Sequence, residues 1–150
     1  MSIRITLFPE FSFCYVEVAG LLSLADLARG YAEAQAKPGW EAIRHSLNDL
    51  RGLHDMRIFP EGMEQFAKVL AQDVAKMAKP RDIAILCPPP RSIGMLSEYA
   101  RLVQELSPGR CAIHQNFRRA MDWLGAPAAC HDLRLPSGRR IEDRDPDWTT

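Results

Sequence analysis

Residues 60–87, PEGMEQFAKVLAQDVAKMAKPRDIAILC, decide the fold class, because a helix pattern passes directly into a buried-strand pattern. Apolar side chains recur at helical spacing in the first part and form one stripe: Met63, Phe66, Ala67, Leu70, Val74 and Met77. Pro60 suits the first turn of this helix, and Pro80 stops it. Residues 83–87 form a continuous apolar run, which is typical of a strand that is buried on both faces.

The alternation of strands and helices extends in both directions from this stretch. Further strand patterns lie at residues 3–7, 11–18, 43–47 and 111–117, and further helix patterns begin after Ser23, after Ser92 and at Phe117. Alternating strands and helices imply right-handed crossovers and a mostly parallel sheet, and the short link at Pro9 and Glu10 makes the first strand antiparallel. The sequence therefore predicts an α/β fold, with a small mixed, mostly parallel sheet of about five strands flanked by about four helices.

Individual residues mark the ends of these helices. Ser23 precedes the first helix pattern, and Asp26 follows it by three residues, which resembles a capping box. Ser92 is expected to cap the third helix through its hydroxyl, and Gly125 to close the fourth in a left-handed conformation.

The regular pattern ends at Leu124, and this sets the predicted domain boundary. Residues 1–125 are predicted to form the α/β domain, and residues 126–150 an extended or disordered C-terminal tail that is dispensable for folding. Proteases should cut this tail first, after Arg134, Arg139 or Arg140. Within the domain, Phe66→Ala is expected to be among the costliest changes, at about 3–5 kcal/mol.

Charge and hydropathy exclude several classes of protein. Lysine and arginine together number 19, as do aspartate and glutamate, so the chain lacks the basic excess of a nucleic-acid-binding protein. No apolar run approaches the ~18 residues of a membrane span, and the amino terminus lacks the apolar core of a signal peptide. These properties predict a cytoplasmic protein, in which the four cysteines remain free thiols.

No catalytic or metal-binding motif stands out in the sequence. There is no G-x-S-x-G elbow, and none of the four histidines lies one helical turn from another. Cys87 is the one thiol at a strand end, and its apolar neighbours favour an inert, packed side chain. We therefore expect neither enzymatic activity nor a cofactor or metal.

Two polar clusters are candidate binding sites for a partner or ligand. Asp49, Arg51 and Asp55 follow the third strand pattern, where ligands bind in open α/β sheets, although a solvated loop would look the same. Arg91 and Ser92 lie at the start of the third helix, where backbone amides suit an anion. The prolines before them supply no amide, so a rigid connector remains the alternative reading.

Five phrases, in this order, carry a family resemblance: residues 16–23 (VEVAGLLS), 47–52 (LNDLRG), 83–86 (IAIL), 94–99 (GMLSEY) and 116–124 (NFRRAMDWL). Over roughly residues 3–125 the chain resembles the STAS-like or SpoIIAA-like proteins, which include the anti-sigma-factor antagonists and a bacterial STAS/SEC14-like subgroup. The resemblance implies a non-enzymatic regulatory or protein-interaction module, which acts on a protein partner or by self-association. The alternative is a SEC14-like protein that holds a small apolar or lipid ligand.

The resemblance also implies a phosphorylated hydroxyl near the start of the helix that follows the third strand. In this chain Asp55 and Met56 stand at the matching position, and residues 47–91 contain no serine, threonine or tyrosine. We therefore expect a module that lacks the serine switch.

Overall fold

The computed structural model describes residues 2–149 as a sheet with helices on both faces. The strands are β1 (Ser2–Phe8), β2 (Phe13–Ser23), β3 (His45–Arg57), β4 (Asp82–Leu86) and β5 (Cys111–His114). The helices are α1 (Leu24–Gln35), α2 (Pro60–Ala75), α3 (Ile93–Leu106) and α4 (Phe117–Leu124). No helix in this part of the chain is both long and apolar enough to span a membrane.

The strands lie in the sheet in chain order, β1-β2-β3-β4-β5. β1 is antiparallel to β2, and every other neighbouring pair is parallel. This confirms the predicted fold class, a mixed but mostly parallel sheet of five strands with four helices. Because each parallel crossover is right-handed and steps in the same direction, α1, α2 and α3 all fall on one face of the sheet.

Two separate cores result from this arrangement. On the first face α2 buries Met63, Ala67, Leu70 and Val74 against the sheet and α3. On the second face Phe117, Ala120, Met121 and Leu124 of α4 pack on β2, β3 and β4. The side chains of each central strand alternate between the two cores, which explains the near-continuous apolar run of β4.

Local signals at the helix ends behave mostly as predicted. The Asp26 amide donates to Ser23 Oγ at 3.2 Å and the Ser23 amide to Asp26 Oδ2 at 3.1 Å, which confirms the capping box. Gly125 closes α4 with a φ of 70°, in the left-handed region. Ser92 precedes α3, but the expected side-chain cap is wrong. Its backbone is already helical after the turn Pro90–Ser92, so its hydroxyl does not reach the first free amides.

The third strand is longer than its apolar pattern indicated. β3 runs to Arg57, so Asp49, Arg51 and Asp55 lie within the strand and not in a loop after it. Asp49 pairs with Glu17 of β2 and with Leu86 of β4, in the middle of the sheet. Polar residues continue the strand here because Asp49 and Arg51 satisfy each other's hydrogen bonds away from water.

Residues 126–149, here termed the C-terminal segment, pack against the second face of the sheet. Their backbone is irregular, with short turns at Ala128–Asp132 and Asp147–Thr149, but Cys130 and Ile141 are fully buried. The indole Nε1 of Trp148 donates to the Cys87 carbonyl at 3.2 Å. An extended or disordered tail was expected from the lack of periodicity; single, widely spaced apolar anchors produce no periodic pattern.

Phe66 is less buried than the α2 stripe suggested. Its ring packs against Tyr31 at 5.7 Å and Tyr99 at 6.1 Å between centroids, yet the side chain is only half-buried because it borders a cavity. The expected cost of Phe66→Ala therefore falls below the range for a fully buried phenylalanine.

Two half-buried histidines make the fold sensitive to acid. Desolvation lowers the pKa of both His45 and His114 below the ordinary 6.5. The nearby charge of Arg44 lowers the pKa of His45 further, and that of Arg110 lowers the pKa of His114. As the pH falls, the unfolded chain binds protons first, so the free energy of unfolding should drop between about pH 7 and pH 5. Urea titrations of the wild type and of a His45→Asn, His114→Gln variant should show a flatter pH dependence in the variant. Equal slopes would contradict this assignment.

Candidate functional site

An ion pair between Asp49 and Arg51 lies at the centre of the second face. Arg51 Nε donates to Asp49 Oδ1 at 2.9 Å and Nη2 to Oδ2 at 2.8 Å, so the contact is bidentate. Asp49 is fully buried and Arg51 is 5% exposed. Desolvation lowers the pKa of Arg51, but hydrogen bonds to Asp49 and its charge outweigh this, so the pKa lies above its ordinary value.

The remaining donors of Arg51 bind the backbone of the C-terminal segment. Nη1 donates to the carbonyls of Glu142 (3.0 Å) and Arg144 (2.8 Å), and Nη2 to that of Ile141 (2.7 Å). A guanidinium has five N–H donors, and in Arg51 all five are occupied. Arg51 therefore binds the protein's own chain and has no donor left for an external anion.

Two further side chains complete this cluster from β2. The Tyr15 hydroxyl donates a short hydrogen bond to Asp49. Burial, together with the charge of Asp49, raises the pKa of Tyr15, so its hydroxyl stays protonated. Glu17 accepts from Arg139 at 2.6 Å and from Arg144 at 3.0 Å, which ties the segment to the sheet a second time.

Gly52 makes room for one of these contacts. A Cβ at this position would lie 2.4 Å from Nη2 of Arg144, so any larger residue would displace the guanidinium that reaches Glu17. Sequence reasoning missed Glu17, Gly52, Arg139 and Arg144. The available signal was the four arginines between residues 134 and 144, opposite acidic residues on adjacent strands.

The other candidate residues lie apart from this cluster. The carboxylate of Asp55 accepts from the Met56 amide at 2.9 Å, Arg91 is exposed, and Ser92 is buried. In the described part of the chain, no hydrogen bond or ion pair joins these three residues to Asp49 or Arg51. The structure thus brings together two of the five candidate residues.

A polar cavity of about 250 Å³ lies beside the cluster at the carboxyl ends of β4 and β5. Arg51, Arg118 and Arg144 line it, and each already binds a carboxylate: Asp49, Glu142 and Glu17 respectively. Cys87 also lines it, but burial raises the pKa of the thiol, which does not suit a nucleophile. No group of three histidine, cysteine or acidic residues within residues 2–149 is placed to hold a metal.

Apolar side chains are exposed where β2 and β3 extend beyond β4. The two strands pair as far as Ser23 and Arg57, whereas β3 pairs with β4 only up to Asp49. At this end Phe59 is 83% exposed, Leu21 41% and Leu24 40%. These three residues are named the strand-end patch. Leu24 begins α1, and Phe59 immediately precedes α2.

Comparison with known proteins identifies the fold. No family model and no curated protein matches the chain. A solved structure of an uncharacterized DUF3478-family protein with a SpoIIAA-like fold, from Shewanella loihica PV-4, matches with a TM-score of 0.52. That match has 16% identity and covers 82% of this chain and 92% of the other.

The anti-sigma factor antagonist SpoIIAA, in its unphosphorylated form, also matches with a TM-score of 0.52. Here the identity is 11%, and the match covers 83% of this chain and 98% of that protein. Strand order, helix placement and these two matches agree: the chain has the SpoIIAA-like fold that its sequence phrases indicated.

Proposed function

We propose that this protein is a non-enzymatic, STAS-like interaction module that binds a partner protein through the strand-end patch. The observation that carries the proposal is Phe59, which exposes 83% of its surface directly before α2. Large aromatic side chains are enriched among the residues that contribute most to protein–protein binding. Leu21 and Leu24, 41% and 40% exposed, lie at the same end of the sheet as Phe59 and add apolar surface there.

The five candidate residues named from the sequence have different roles in the proposed complex. Asp49 and Arg51 are buried beneath the C-terminal segment, so in the proposed complex they hold the scaffold and do not touch the partner. Asp55 pairs with Leu21 in the sheet register and lies next to the patch, where it adds a negative charge. Arg91 and Ser92, before α3, remain a proposed secondary contact.

Regulation at this patch would act without a phosphorylated hydroxyl at the position that the family resemblance implies. Residues 47–91 contain no serine, threonine or tyrosine, and α2 begins with Pro60. A kinase of the serine type therefore has no acceptor in β3 after Ser46, in α2 or in the link between them. Binding would instead depend on the concentration of the partner or on a ligand.

Phe59→Ser should remove partner binding, with Val69→Ser as the matched control. Val69 is also an exposed apolar residue, at 49%, but it lies within α2 and outside the patch. Loss of a central aromatic contact costs about 2 kcal/mol or more, or roughly a thirtyfold drop in affinity. The test is co-purification of tagged variants from the native cell, followed by titration of the recovered partner. Equal recovery with both variants would contradict the proposed surface.

A second candidate function is binding of a small apolar ligand, as in the SEC14-like reading. A cavity of about 110 Å³ between the sheet and α1 and α2 favours it, because it is lined almost entirely by apolar side chains. The two functions use different parts of the fold and are compatible.

A further inference from the structure

The cavity between the sheet and the helices α1 and α2 is here termed the interior cavity. Its wall contains polar as well as apolar side chains. Val16, Leu27 and Phe66 line its wall, and all three are only half-buried, since part of their surface faces this space. Two polar features also line it: the guanidinium of Arg81, and Ser46 with Asn48 on β3. A purely apolar ligand would leave the remaining donors of both features without an acceptor.

Arg81 is a buried cation without a bound carboxylate. Its side chain is 3% exposed, Nε donates to the Ile43 carbonyl at 3.0 Å, and Nη2 donates to the Trp40 carbonyl at 2.8 Å. The guanidinium carbon stacks 3.8 Å from the centre of the Trp40 ring. Among residues 3–148, no carboxylate lies within ion-pair distance of it. Arg51, which is equally buried, differs because it has Asp49.

Asp73, the carboxylate whose charge acts on Arg81, is bound to other groups. Asp73 accepts from the Tyr31 hydroxyl at 2.6 Å and from Gln35 Nε2 at 3.0 Å. Desolvation lowers the pKa of Arg81, and the charge of Asp73 offsets this only in part. Of the five guanidinium donors, carbonyls occupy two, so donors remain for an anion. Buried charges in proteins are normally paired, and an anion in the cavity would complete this one.

Ser46 and Asn48 form the second polar feature, on the central strand. The Ser46 hydroxyl donates to Asn48 Oδ1 at 2.9 Å. This hydrogen bond occupies the amide oxygen and leaves the amide nitrogen of Asn48 as a donor on the cavity wall. The polar groups of the cavity therefore offer donors to a ligand oxygen, while the rest of the wall is apolar.

We propose that the interior cavity binds a small monocarboxylic acid, whose carboxylate pairs with Arg81 and whose apolar chain or ring packs against β2, α1 and α2. This rests on the second candidate function and names its ligand class. An apolar cavity of about 150 Å³ in another protein holds a benzene ring. At about 110 Å³, this cavity is smaller and fits an apolar chain of roughly four carbons.

Pentanoate, 1-pentanol and acetate are the probes that test this assignment. Each is titrated into the wild-type protein by calorimetry, and thermal unfolding is followed at saturation. Pentanoate should bind at least about tenfold more tightly than 1-pentanol, because the charged hydrogen bonds to Arg81 are lost with the alcohol. Acetate should not raise the melting temperature, since it lacks the apolar part. Nuclear Overhauser contacts from pentanoate to the methyls of Val16 and Leu70 should place it in the cavity.

Variants distinguish the contribution of the Arg81 charge to ligand binding from that of the cavity volume. Arg81→Gln should abolish the preference for pentanoate over 1-pentanol. Arg110→Gln is the matched control, because Arg110 also stacks on a tryptophan, Trp123 at 4.2 Å, but is exposed and paired with Asp82. Val16→Phe should block both ligands by filling the cavity. If Arg81→Gln does not fold, the wild-type affinity ratio and the Overhauser contacts decide the question alone.

The possible failures are distinguishable. Equal affinity for pentanoate and 1-pentanol would overturn the carboxylate assignment and leave ligand binding in the cavity intact. No binding of either probe would overturn the assignment and the second candidate function together. Pentanoate bound without contacts to Val16 and Leu70 would place it elsewhere and also overturn the proposal.

Discussion

Arg51→Met should lower the free energy of unfolding by about 3–5 kcal/mol, because it leaves a charged partner buried without a counter-ion. Asp49 would retain only the Tyr15 hydroxyl and the amide of residue 51 as hydrogen-bond donors. Three carbonyls of the C-terminal segment, those of Ile141, Glu142 and Arg144, would lose their donor at the same time. Urea denaturation measures the loss, and hydrogen exchange should show faster exchange across residues 140–146.

Arg101→Met is the control for this variant. Arg101 forms ion pairs with Glu98 and Glu105 on the exposed side of α3, where solvent screens the charges, so its loss should barely change stability. Similar midpoints for Arg51→Met and Arg101→Met would show that Arg51 contributes no more than a surface residue. That result would remove the basis for the C-terminal segment as part of the folded unit.

A chain ending at Gly125 should fail to give a cooperative unfolding transition. Removing the C-terminal segment exposes apolar side chains on the second face, including Phe13, Tyr15 and Leu47, and removes the buried Cys130 and Ile141. It also leaves the ion pair of Asp49 and Arg51 exposed to water and removes the carbonyls that accept hydrogen bonds from Arg51. Circular dichroism and calorimetry of the shortened and full-length chains provide the comparison.

This variant also tests the domain boundary at residue 125, which remains a sequence prediction. If residues 1–125 melted cooperatively at the temperature of the full chain, the segment would be a dispensable appendage as the sequence suggested. Ile141→Ala offers a milder version, because it removes one buried side chain and keeps the carbonyls that Arg51 binds. Its cost should fall at about 2–5 kcal/mol, and should be smaller than that of the truncation.

Local signals in the sequence were sufficient for the order and type of the elements. The α2 stripe, the buried run of β4, the Ser23 and Asp26 box and Gly125 each depend on neighbours a few residues away. Such features can be recognised within a short stretch of sequence. Strand order could not be predicted in this way, because a right-handed crossover can step in either direction along the sheet.

The candidate site was harder to predict because its partners are distant in sequence. Asp49 and Arg51 resemble a loop when read locally, yet they lie in a strand whose charges are satisfied by carbonyls about 90 residues later. Ile141 is fully buried, but its neighbours in the sequence are charged, so it belongs to no periodic apolar pattern. Arg81 likewise looks like a surface residue beside Asp82 until the fold buries it beneath Trp40.

Photo-crosslinking from position 59 in the native cell tests the proposed interaction surface most directly. A photoreactive phenylalanine analogue replaces Phe59 in one variant and Val69 in another, since both positions are exposed. We expect one dominant protein adduct from position 59, none from position 69, and competition by excess wild-type protein but not by Phe59→Ser protein. Absence of an adduct at position 59, or equal adducts from both positions, would contradict it.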